Sequence, residues 1–121
     1  MKQTLTIPAI LPTMNEIIAL AKSHPKIYAS AKRKCDVIVA SYAREQQLKP
    51  VTKYPVAIDI TWCCKDKRKD PDNIGAGIKF ILDGLMKSKI LRGDGFNDIS
   101  ELRHRFVYDK DNPRVVVILK C

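Results

Sequence analysis

Between Val56 and Leu85 the spacing of apolar residues changes once, from every second position to every third or fourth, across a short charged stretch. Val56, Ile58, Ile60 and Trp62 alternate with Ala57, Asp59 and Thr61, the pattern of a strand with one buried face. From about Asn73 to Ser88, Ile74, Ile78, Ile81, Leu82 and Leu85 recur at helical spacing and form a core stripe. The charged run Lys65 to Asp70 lies between the two patterns, so a strand passes into a helix through a loop rich in charge. Such a unit buries both apolar surfaces only by laying the helix on a sheet.

The rest of the chain supplies the partners. Lys2 to Ile10 alternates as a strand with Leu5, Ile7 and Ala9 on one face, and Pro8 places it at or near a sheet edge. Pro12-Thr13-Met14-Asn15 reads as a turn, and Glu16 to Ala21 as a short helical turn ended by His24-Pro25. A helix is expected from Ser30, its N-cap, to about Gln47. Its apolar positions are Ala31, Cys35, Ile38, Val39 and Tyr42, and Lys32, Arg33, Lys34 and Arg44 give it a basic outer face. Two more strands are expected at Ile99 to Tyr108 and Arg114 to Lys120, joined by the turn Asp109 to Pro113. The reading is a single domain over residues 1–121. Its class is α/β, of α+β-like type: a small mixed sheet packed with two main helices.

Lys and Arg outnumber Asp and Glu by 22 to 13, a formal net charge of +9. So large an excess on a small domain favours a polyanionic partner, nucleic acid first and an anionic membrane second. The membrane reading needs a basic amphipathic helix with an aromatic or leucine-rich face, and none is present. No apolar run approaches the roughly 20 residues of a transmembrane span, and Met1 to Pro12 does not have the pattern of a leader, so a cytoplasmic location is expected. Cys35, Cys63, Cys64 and Cys121 contain no C-x-x-C pair and read as reduced thiols packed as small hydrophobes.

Function is read from Asp70-Pro71-Asp72-Asn73. Two carboxylates one residue apart can share a hard cation such as Mg²⁺, which takes oxygen ligands. Lys67, Arg68 and Lys69 would attract the phosphate backbone that bare carboxylates repel. The bland reading makes Asp70 and Asp72 helix caps, but one acid suffices for a cap. Lys79 alone reads as a solvated helix lysine. Asp94, between Gly93 and Gly95, reads as a turn former.

In their order these residues resemble the RusA-type Holliday junction resolvases. The resemblance is carried by Arg68-Lys69-Asp70-Pro71-Asp72-Asn73, then Lys79-Phe80-Ile81-Leu82-Asp83-Gly84-Leu85, then Gly93-Asp94, with Pro8, Pro12 and Asn15 matching the family's Pro-rich start. It implies a homodimer that binds four-way DNA junctions and makes paired symmetric nicks with Mg²⁺ or Mn²⁺, without a small-molecule cofactor or a membrane. Position by position it makes Asp70, Asp72 and Asp94 the metal-binding catalytic acids and Lys79 the catalytic lysine. Two departures stand out: Lys79 lies three residues farther from the acidic motif than in the family's shortest form, and only the second member of the paired acid survives, as Asp94. Asp98 is the fallback third ligand.

On this reading Lys67, Arg68 and Lys69 track the DNA backbone, aided by Lys32, Arg33 and Lys34 from the other helix, with Lys87, Lys89 and Arg92 as weaker candidates. Two other functions stay open: a non-catalytic nucleic-acid-binding protein whose acids are only caps, and a nuclease for flaps or single strands on the same scaffold.

Overall fold

The computed structural model describes residues 1–8 and 11–121. Along the chain come β1 (Lys2–Ile7), α1 (Met14–Ser23), α2 (Pro25–Glu45), β2 (Val56–Cys64), α3 (Pro71–Gly75), α4 (Ile78–Lys87), β3 (Ile99–Tyr108) and β4 (Arg114–Lys120). The strands form one mixed sheet in the order β1-β4-β2-β3, with β4 antiparallel to β1 and β2 and with β2 parallel to β3. This is the small α+β domain the sequence implies. Ala9 and Ile10, expected to continue β1, lie outside the described residues.

The strands β3 and β4 occupy the expected segments, yet the turn that joins them makes no hairpin. β4 crosses to the far side of β2. The burial each strand can tolerate explains the choice. β2 offers Val56, Ile58, Ile60 and Trp62 to the core and is paired on both sides. β3 carries Glu101, Arg103 and Arg105, which an interior position would desolvate, and it stays at the edge.

Helices cover one face of the sheet. Leu5, Ile7, Ile58, Ile60, Val117 and Leu119 meet Val39, Ala43, Ile81 and Leu85, all at most 1% exposed. Each Leu, Ile or Val among them contributes about 1.5–3 kcal/mol by leaving water. At Gly84 the helices α2 and α4 nearly touch: a Cβ there would lie 2.5 Å from that of Val39.

Three helix boundaries differ from expectation. His24-Pro25 ends α1 and also starts α2, because the His24 Nδ1 accepts from the Lys26 N–H at 3.1 Å and Pro25 falls in the first turn, where no N–H is needed. α2 thus begins at Pro25 instead of Ser30. Thr13 caps α1, its Oγ1 accepting from the Glu16 N–H at 3.4 Å, so Met14 and Asn15 are helical and not part of a turn. The single helix expected over Asn73 to Ser88 is two, broken at Ala76-Gly77. Gly77 packs so closely on Trp62 that a Cβ would sit 3.0 Å from the indole ring. Among the described residues no helix is long and apolar enough to cross a membrane.

Candidate functional site

The loop leaving β2 is pinned on two sides. The Lys67 ammonium sits over the Tyr108 ring of β3, 5.3 Å from its centroid, and the Lys69 Nζ pairs with the Glu16 Oε1 of α1 at 3.0 Å. Within the loop the Arg68 N–H donates to the Asp66 carboxylate at 3.0 Å, closing a local turn. Asn73 ties the start of α3 to α1, its Oδ1 accepting from the Asn15 N–H at 2.8 Å.

This bracing holds Asp70 and Asp72 at the surface. Asp70 occupies the N-cap position of α3, but its side chain makes no capping bond; its backbone carbonyl accepts from Asn73 and Ile74 at 3.1 and 3.0 Å. Asp72 uses one oxygen to accept the neighbouring Asn73 N–H at 2.9 Å. The Asp72 side chain thus meets one amide of the first turn of α3, and the Asp70 side chain meets none. Two exposed carboxylates with oxygen lone pairs to offer suit a hard divalent cation.

Asp94 lies elsewhere. Its loop closes onto the opposite end of the sheet, where the Val56 N–H donates to the Asp98 carbonyl and Val56 pairs with Ile99. Asp70 and Asp72 follow the end where Cys64 pairs with Tyr108. The eight residue steps between these ends of β2 span about 26 Å at ~3.3 Å each. The chain brings Asp70 and Asp72 together and leaves Asp94 apart, and no three His, Cys, Asp or Glu among the described residues group closely enough to hold a metal. Asp98 braces the Asp94 loop. Its carboxylate accepts from the Arg92 Nε at 2.7 Å and the Gly95 N–H at 3.1 Å, and the Arg92 guanidinium holds its pKa below the ordinary carboxylate value.

Lys79 is exposed on α4, its Nζ 3.6 Å from the Asp83 carboxylate one turn on. The same Asp83 oxygen is 3.1 Å from the Lys32 Nζ of α2, which also lies 3.4 Å from Asp36. Lys32, expected on a solvated DNA-facing surface, thus fastens α2 to α4, and its hydrogen bond to Asp83 raises its pKa. Arg33, Lys34 and Arg68 are exposed and make no ion pair among the described residues. Arg92 is also occupied, stacked 4.0 Å over the Tyr54 ring.

Two features escape a reading by local motif. The Trp62 Nε1–H donates to the His104 Nδ1 at 3.0 Å, so the imidazole is a neutral ring carrying its proton on Nε2. On the face that carries no helix, Arg103, Arg105, Arg114 and Lys120 gather from two strands, with Arg103 paired to Glu101, Arg114 to Asp109 and Lys120 to Asp59. Period-two spacing puts Arg103 and Arg105 on one face, but only strand order brings Arg114 and Lys120 to it. A cleft of about 110 Å³ opens at the end of β2, floored by Trp62, Ile74 and Val115 and rimmed by Lys65, Lys69 and Arg114. The thiols are free, with Cys35 and Cys63 buried. Compared with known proteins, the chain matches no protein-family model and no curated protein.

Proposed function

We propose that the chain is a metal-dependent endodeoxyribonuclease of the RusA type, which nicks four-way DNA junctions symmetrically as a homodimer. The observation that carries this reading is the Asp70–Asp72 pair: two exposed carboxylates at the start of α3, Asp70 with no capping bond from its side chain and Asp72 with one oxygen left over, after a loop braced by Lys67 and Lys69. A capping role does not account for Asp70. Asp70 and Asp72 would hold Mg²⁺ or Mn²⁺, which when bound polarises the phosphate and favours deprotonation of water.

The chain's own groups do the rest. Lys79 reaches solvent from α4, steadied by Asp83, and would offset charge that develops on the phosphate. Arg68, Arg33 and Lys34 supply free cations for the DNA backbone.

One observation favours a non-catalytic nucleic-acid-binding protein instead: Asp94 stands apart from Asp70 and Asp72 within a chain. Labelled four-way junction and linear duplex, each incubated with the protein with and without Mg²⁺, separate the two readings. Symmetric nicks in the junction that require Mg²⁺ support the nuclease. Binding indifferent to Mg²⁺, with no cleavage, leaves the binding protein.

A further inference from the structure

We propose that the cleft at the end of β2 receives one unpaired nucleobase of a DNA strand whose backbone crosses the loop from Lys65 to Asp70. A base in the cleft needs a nucleic-acid partner, which both functional readings supply, whereas its place beside a cut rests on the nuclease reading.

The interior of the cleft is mostly apolar, with Leu11, Trp62, Ile74 and Val115 in its walls. The one polar atom of the indole is taken, because the Nε1–H donates to the His104 Nδ1 at 3.0 Å, so Trp62 offers only carbon to the cleft. Thr13 also lines it, but the hydroxyl is engaged in the cap of α1, accepting from the Glu16 N–H and donating to the Glu16 Oε1 at 3.1 Å. Such walls disfavour a hydrated ion and suit a flat ring, which stacks on an aromatic neighbour or packs on aliphatic ones. The volume of about 110 Å³ lies well below the roughly 300 Å³ at which sites for larger ligands begin, so the cleft holds one ring system and no peptide segment.

The rim carries the charge that complements a phosphate. Lys65, Lys69 and Arg114 stand there against one acid, Asp66, whose carboxylate accepts the Arg68 N–H at 3.0 Å. Lys69 pairs with Glu16 and Arg114 with Asp109. Lys65 is exposed and makes no ion pair among the described residues, which leaves one cation at the mouth for the phosphate of the nucleotide whose base enters. An apolar interior behind a cationic mouth matches a nucleotide, ring inside and phosphate outside. An apolar side chain of a protein partner would leave the charge unused.

Cleft and acidic pair share one turn of chain. Ile74, in the wall, donates its N–H to the Asp70 carbonyl at 3.0 Å, and Lys69, on the rim, directly precedes Asp70. A strand with a phosphate at Asp70 and Asp72 therefore carries its neighbouring nucleotide over the cleft mouth. The base enters only when unpaired, because a paired base stays inside the duplex stack. Turning it out costs least where pairing is already interrupted, so the cleft favours branched or single-stranded DNA over continuous duplex.

Trp62 is the only tryptophan, so its emission reports on the cleft. Titration of the wild type without metal by a short thymidine strand should change that emission. An abasic strand of the same length should leave it unchanged and bind about tenfold more weakly, the loss expected for one stacked base. Equal affinity and equal emission change for the two strands overturn the cleft as a base site. Thymidine monophosphate tests a free nucleotide as occupant: a response at the same concentration as the strand overturns the strand. Ile74→Phe, which fills the cleft, should make the two strands bind alike. Lys65→Glu changes only the exposed rim and keeps the test open if the first variant does not fold; it should lessen the response to the thymidine strand, and a wild-type titration curve overturns the cationic mouth. A base-dependent signal from a protein that never nicks junctions keeps the cleft and removes the nuclease. Nicking without such a signal removes the cleft alone, and binding of neither strand removes the cleft and the nucleic-acid partner together.

Discussion

Lys32 of α2 and Asp83 of α4 meet at 3.1 Å, and Asp83 reaches on to Lys79 at 3.6 Å. A residue that joins two helices is thereby linked to the lysine proposed for chemistry. The link separates structural cations from DNA-facing ones.

Lys32→Ala should lower stability by about 1–2 kcal/mol, because it leaves Asp36 and Asp83 mostly buried with fewer partners. Arg33→Ala, at an exposed neighbour, should leave stability within about 0.5 kcal/mol and weaken DNA binding. Urea unfolding alongside a binding titration checks the pair. Equal loss of stability in both variants would refute the division.

Asp70→Asn and Asp72→Asn should abolish Mg²⁺-dependent nicking while junction binding stays the same or tightens, since a negative charge near phosphate is removed. Asp70 makes no capping bond, and at Asp72 an Asn side chain can accept the Asn73 N–H as Asp does, so stability should change by less than about 0.5 kcal/mol. Junction cutting at the wild-type rate by both variants would show that the site lies elsewhere.

Lys79→Ala should slow cleavage about 10²- to 10³-fold, in line with the loss of one donor to developing charge. Affinity should fall far less, because one phosphate contact among many contributes little. The exposed pair with Asp83 adds at most about 1 kcal/mol of stability, so the protein should remain folded. Single-turnover rates and junction affinities that fall by the same factor would reduce Lys79 to an ordinary DNA contact.

α2 and α4 are each followed by a left-handed residue that is not glycine: Gln47 at φ 59° and Lys89 at φ 65°. The Leu48 and Ile90 N–H groups reach back to the Ala43 and Leu85 carbonyls, closing Schellman motifs. Lys89→Gly should therefore stabilise the chain by about 0.5–1 kcal/mol, by relieving the contact of Cβ with the backbone. Gly84→Ala should do the opposite, by about 1–3 kcal/mol, because its methyl meets Val39. Thermal melts of the two variants should move in opposite directions.

Burial lowers the His104 pKa from its ordinary 6.5. The folded chain binds this proton less readily than the unfolded chain, so stability from the neutral ring is full above about pH 6.5 and is lost as pH falls through the folded value. Protonation also takes the Nδ1 lone pair from Trp62. His104→Gln should flatten this part of the acid dependence. A wild-type and a variant whose unfolding free energies fall in parallel between pH 7.5 and 5 would contradict it.

Local periodicity alone sets the strand segments. The segments Ile99–Tyr108 and Arg114–Lys120 match their expected bounds because alternation of side chains is a property of each strand alone. The basic excess and the exposure of Asp70 and Asp72 were legible for a similar reason, since charge and a strand-to-helix loop are local. Where two elements must meet, packing between distant segments settles the outcome. The need for glycine at Gly77 comes from the indole of Trp62, the crossing of β4 from the competition between β2 and β3 for the sheet interior, and the use of Lys32 from an acid fifty-one positions away. Asp94 shows the limit most plainly. Chain order sets it after α4, but the direction of that helix across the sheet carries it to the end away from Asp70, a distance no spacing of residues records.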